Sequence, residues 1–128
     1  MAKRASRQAG DLAFEIDFYE RLVARHPDFA EPLMQLGEAY TRAGRYTDGL
    51  SVDRRMTKLR PRNPIAWYNL ACSLALLEQL PGATRALKKA IELGYDDWEF
   101  LQRDPDLAPL RRHPAFQHFL AKIRANHR

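Results

Sequence analysis

The sequence predicts an all-α protein, an antiparallel stack of helix-pair repeats amounting to an α-solenoid fragment of about six or seven helices. Two observations carry the prediction. Three segments superpose at a spacing of 34 residues: LVARHPDFAEPLMQLG from Leu22, MTKLRPRNPIAWYNLA from Met56 and AIELGYDDWEFLQRDP from Ala90. Pro27, Pro61 and Tyr95 fall in register, as do Leu33, Trp67 and Leu101. Inside the units the apolar period is helical. Leu33, Leu36, Gly37 and Tyr40 stand at i, i+3, i+4, i+7, as do Trp67, Leu70, Ala71 and Leu74, so each set lines one helical face.

Read in order, residues 1–10 form a basic flexible tail with Lys3, Arg4 and Arg7 and no large apolar side chain beyond the initiating Met. Residues 11–128 read as a single domain. Its leading half-repeat, 11–29, holds one helix from Asp11 to His26, marked by the stripe Leu12, Ile16, Tyr19 and Val23. The first full repeat, 30–63, has a first helix ending at Ala43 and Gly44, where glycine takes the left-handed terminal conformation. Its second helix runs from about Tyr46 to Leu59, before Pro61. In the next repeat, 64–97, the second helix starts near Pro81, acceptable in a first turn, and stops at Gly94. The closing segment, 98–128, breaks at Asp104 and Pro105, and Pro114 opens a last helix bearing Phe116, Phe119, Leu120 and Ile123.

With this period and these residues, the chain resembles the tetratricopeptide repeat family. Trp67, Leu70, Ala71, Ala83, Leu87 and Ala90 sit at that family's offsets, with Leu74 replacing its first aromatic and Tyr95 its proline. The first repeat matches at Leu33, Leu36, Gly37, Tyr40 and Pro61, and departs at Gly49, Asp53 and Met56. The closing segment resembles that of some bacterial repeat proteins. The resemblance implies helix pairs that share one continuous core and a surface for holding another protein. The carboxylate clamp of chaperone-binding members is not carried over. Asn69 and Arg103 fit it, but Met34, Glu38 and Glu99 stand where clamp members have Lys or Asn.

Composition is that of an ordinary globular chain, 45% hydrophobic and 29% charged in 128 residues. No apolar run has the length of a signal peptide or membrane span, so a cytoplasmic protein without membrane attachment, most simply a monomer, is expected. A net charge of +5 admits an acidic partner without identifying one.

No catalytic constellation stands out, and neither enzyme activity nor a cofactor is expected. His26, His113, His118 and His127 lack metal-ligand spacing, and no HExxH occurs. Cys72, the sole cysteine, has no charged or histidine neighbour in the sequence. Asp104 and Asp106 lack the further oxygen ligands of a calcium loop and suit turn or cap roles.

The candidate binding residues lie on the first helices of the repeats. Met34, Glu38 and Thr41 stand off the core stripe of one, and Ile65, Tyr68 and Cys72 off that of the next, which is apolar on both faces. That second apolar face is covered either by a bound peptide or helix or by the chain's own closing helix. A protein partner in the concave groove is the expected function, with Arg42, Asn69 and Arg103 fixing its orientation. The alternative is nucleic acid or another acidic surface bound along an outer basic stripe of Arg54, Arg55, Lys58, Arg62, Arg85, Lys88 and Lys89, though no aromatics interleave it.

Overall fold

The computed structural model describes residues 2–126, with side chains from residue 10 onward. The side chains of Lys3, Arg4 and Arg7, and His127 altogether, lie outside the described residues. Every regular element among the described residues is helical, and the contacts gather into two compact units, Met1–Pro61 and Arg62–Arg128. The division lies two residues before the expected repeat boundary of 63/64, within the stretch read from sequence as one domain.

The first unit contains α1 (Ala2–Arg25), α2 (Ala30–Arg42) and α3 (Tyr46–Leu59). Helix α1 begins at Ala2, nine residues before the expected Asp11, so residues 2–10 are helical where a flexible tail was expected. The reason is local: Ala, Lys, Arg and Gln are strong helix formers, and no proline interrupts them. Its Ile16 and Val23 are buried, and α1 packs on α2. Helix α3 forms in full despite Gly49 and Asp53, both buried. Close approach is the cause. A Cβ on Gly37 of α2 would stand 3.0 Å from Asp53 Oδ1 and 3.3 Å from Val52 Cγ1, so Gly37 in one helix makes room for Asp53 in the other.

The second unit contains α4 (Pro64–Leu76), α5 (Leu80–Glu92), α6 (Trp98–Arg103), a 3-10 turn (Pro105–Leu107), α7 (Ala108–Arg111) and α8 (Pro114–Asn126). Asn63 starts α4 by accepting the Ile65 N–H at 2.9 Å, with Pro64 in the first turn. Asp97 does the same for α6 through the Phe100 N–H at 3.1 Å. The closing segment is more folded than expected, because Pro105 starts a 3-10 turn that leads directly into α7. Its core is formed by Leu87, Leu101, Leu107, Leu110 and Phe116, each fully buried. Trp67, at the repeat position that carries the bulkiest residue, is only half-buried.

Three helix ends share one set of hydrogen bonds. Gly44 N–H donates to Thr41 O and Arg45 N–H to Tyr40 O; Glu78 to Ala75 and Gln79 to Leu74; Gly94 to Ile91 and Tyr95 to Ala90, all between 2.9 and 3.0 Å. This is the Schellman wiring, which requires positive φ at its turning residue. Gly44 and Gly94 have φ of 76° and 110°, and Glu78 meets the same demand at 57° without being glycine.

Candidate functional site

In the second unit the candidate residues stand along α4. Ile65 is exposed, Asn69 half-buried, and Tyr68 and Cys72 are buried, 5% and 8% exposed. Of the two covers expected for this face, a bound partner or the closing helix, neither lies over Tyr68 and Cys72: Tyr95, Phe100 and Asp104 of the same chain do, so these two side chains are not themselves open to a partner. The Tyr68 ring stacks on Tyr95, centroids 4.4 Å apart and planes 11° from parallel, and Phe100 tilts against it at 6.4 Å. The residues of α8 offered for this cover act elsewhere. Phe116 and Ile123 are buried, α8 packs on α7, and the Lys88 ammonium lies 5.0 Å from the centre of the Phe119 ring.

Asp104 closes the cluster from the end of α6. Only 5% exposed, it accepts the Tyr68 hydroxyl at 2.5 Å and the Cys72 thiol at 3.7 Å on Oδ2, and the Asp106 N–H at 3.0 Å on Oδ1. Three donors thus surround a carboxylate at the helix terminus, with the capping role expected from sequence and a buried tie to α4 besides. The Arg111 guanidinium secures the same corner by donating to Asp104 O at 2.6 Å and Leu101 O at 3.2 Å. Burial, then the neighbouring Cys72 and the bond to Asp104, push the Tyr68 phenol far above its ordinary value, and burial raises that of Tyr95. Asp106 is raised by its own burial and by the charge of Asp104. Phenols held protonated at every ordinary pH are hydrogen-bond donors, so this cluster works as a latch.

Sequence reasoning missed Tyr95, Phe100 and the burial of Asp104. One signal was available: Tyr95 occupies the register position that holds Pro27 and Pro61 in the other segments. Arg103 is exposed and pairs with Glu99 at 3.7 Å.

In the first unit, Met34 and Thr41 of α2 are half-buried and Glu38 and Arg42 exposed. The Thr41 hydroxyl turns back to Gly37 O at 3.1 Å, and the Arg42 guanidinium binds Glu15 of α1 at 2.5 Å. Tyr40 donates its hydroxyl to Glu20 at 2.6 Å, with the Arg45 guanidinium 4.6 Å from its ring centre. Burial and that bond to Glu20 push the Tyr40 phenol up to about 12. A cleft of about 390 Å³ opens beside this pair, lined by Leu12, Ile16 and Glu20 of α1 and by Ala43 and Arg45.

The basic residues are exposed in both units: Arg54, Arg55, Lys58 in the first, and Arg85, Lys88 and Lys89 in the second, while Arg62 stands exposed at the start of the second. Arg55 donates to Pro27 O at 3.4 Å. Among the described residues, no group of three His, Cys, Asp or Glu is placed to hold a metal ion, and no helix is long and apolar enough to cross a membrane.

Helix pairs at a fixed sequence period, with shared end wiring and interlocked cores, define a tetratricopeptide-like helical-repeat fold. Comparison with solved structures gives the same fold. A CopN–Scc3 complex aligns over 98% of this chain and 64% of its own, with TM-score 0.61 and 18% identity. Two structures of MamA align over 97% and 96% of this chain and 70% and 74% of theirs, with TM-scores 0.65 and 0.66 and 19% identity. The chain is also 29% identical over 132 positions to a chloroplastic protein of Arabidopsis thaliana, an alignment spanning 94% of this chain and 38% of that protein. It therefore spans well under half the length of that relative. No protein-family model matches the chain.

Proposed function

We propose that this chain is a protein-interaction scaffold that holds a peptide or helix of another protein against the first helices of its repeats. The observation that carries the reading lies in the second unit, where Ile65 and Phe100, 43% and 38% exposed, flank the latched Tyr68. Asn69, one turn from Ile65, and Arg103, one turn from Phe100, supply polar groups beside them. Apolar anchors edged by such groups suit a peptide whose side chains pack while its backbone is hydrogen-bonded. In the first unit, taken by itself, α2 presents Met34, Glu38, Thr41 and Arg42, with Arg42 held by Glu15. Tyr68 and Cys72 support the surface from beneath. The fold adds weight, since one of the similar solved structures is a complex of two proteins.

The test pairs two variants. Ile65→Glu with Phe100→Ala should leave helicity unchanged and abolish binding of peptides selected on the native chain from a displayed library. Replacing Arg54, Arg55, Lys88 and Lys89 by Gln should leave it intact. If no displayed peptide is retained, while the native chain binds a single-stranded oligonucleotide with a log-log salt slope of about 0.7 per contacted phosphate and the Gln variant does not, the basic residues bind nucleic acid and the proposal fails.

A further inference from the structure

Helix α1 is apolar on two opposite sides. Ile16 and Val23 are buried within the first unit, whereas Phe14 and Phe18 on the other side are 73% and 51% exposed, with Leu22 half-buried one turn on. A depression of about 260 Å³ opens among Phe14, Asp17, Phe18, Arg21, Leu22 and Arg25.

This outer face has an internal symmetry. At about 100° per residue, Phe18 lies at its centre, with Asp11 and Arg25 about 20° to either side, Phe14 and Leu22 about 40°, and Glu15 and Arg21 about 60°. Within about 60° of Phe18, counted outward, Asp11 meets Arg25, Phe14 meets Leu22 and Glu15 meets Arg21, while Asp17, about 100° round, falls outside this pairing. The acids precede Phe18 and the bases follow it.

We propose that two copies of this chain associate through α1, antiparallel, with Phe18 on the two-fold axis. Phe14 of each copy then packs on Leu22 of the other, Phe18 meets Phe18, and Asp11 meets Arg25 at both ends of the seam. An isologous contact demands this kind of self-complementarity, because the same patch serves both sides. A parallel pairing would set Asp11 against Asp11 and Arg25 against Arg25. Glu15 is engaged by Arg42, and Arg21 pairs with Asp17 at 3.1 Å. Among the side chains from residue 10 onward, Asp11 and Arg25 make no ion pair, and they are the charges that select the partner. One helical seam is a small interface, so the dimer is weak and depends on concentration.

Sedimentation equilibrium of the full chain tests this. The native chain should show a reversible monomer–dimer equilibrium, and Phe18→Glu, with unchanged helicity, should be monomeric. Asp11→Arg and Arg25→Asp should each weaken self-association by about tenfold, since each sets two like-charge contacts across the seam. Mixed in equal amounts, these two variants should form a one-to-one heterodimer as tight as the native dimer, because each then presents the charge that the other lacks. Phe18→Cys in a Cys72→Ser chain should cross-link to its own copy under mild oxidation, and Phe14→Cys should not. A chain that stays monomeric to about 200 µM overturns the proposal. So does a dimer that survives Phe18→Glu, a mixture that fails to restore association, or a monomer whose α1 face instead takes up an unrelated amphipathic helix.

Discussion

Glu78 stands 34 residues after Gly44 and performs the same turn with a side chain that the left-handed region disfavours. Its carboxylate is exposed, so nothing in packing offsets the conformational cost. Glu78→Gly should raise stability by about 0.5–1 kcal/mol, measured by denaturant titration. Tyr40 gives a pH-dependent counterpart. Its folded value, about 12, lies above the ordinary 10.0, so below pH 10 both states keep the proton and stability is unaffected. Between the two values the unfolded chain loses the proton first, and stability falls as pH rises. Tyr40→Phe should flatten that alkaline decline, seen by comparing Tm at pH 9 and pH 11 for the variant and the native chain. The Tyr40 aromatic and its place on α2 were legible in the repeat pattern. The bond to Glu20 was not, because charged residues on a helix carry no signal of which neighbour they reach.

At the scale of elements, α6 and the 3-10 turn are held to α4 by the Asp104 cluster. Asp104→Ala would leave the Tyr68 hydroxyl buried without its acceptor and remove the cap on the turn, at a cost of about 2–4 kcal/mol. Tyr68→Phe removes one donor only and should cost less, about 1–3 kcal/mol. Helix α8 belongs to the same unit through Phe116, and Phe116→Ala should cost about 3–5 kcal/mol by opening a cavity in a fully buried site. A loss under about 1 kcal/mol in denaturant titration would place Phe116 outside the core. The period of 3.6 revealed α2 through α5 because their apolar residues repeat along one face. It could not reveal what covers Tyr68, since Tyr68 and Asp104 lie 36 residues apart and only folding brings them together. The short α7 has too few residues to show a period at all, and α1 outran its expected start because helix propensity is strongest where no apolar stripe marks it.

On the scale of the whole chain, the 34-residue spacing predicted the fold class, and the two compact units divide between Pro61 and Arg62, two residues before the repeat boundary read from that spacing. The departures from the family's pattern at Gly49, Asp53 and Met56 left α3 intact, because Gly37 offers the space that Asp53 occupies. Such paired changes are invisible position by position and plain once the helices face each other. The candidate surface was less legible than the fold. Periodicity identifies the residues that leave the core stripe, but not which of them the chain then covers for itself.

The burial of Cys72 makes the one thiol in this sequence a clock. An aromatic disulfide reagent in bulk solvent reaches it only when the joint between α4 and the closing segment parts, so the reaction rate divided by that of the unfolded chain gives the free energy of that opening. Tyr68→Phe should quicken the reaction and Glu78→Gly should not. No reporter residue need be introduced: the protein times its own breathing.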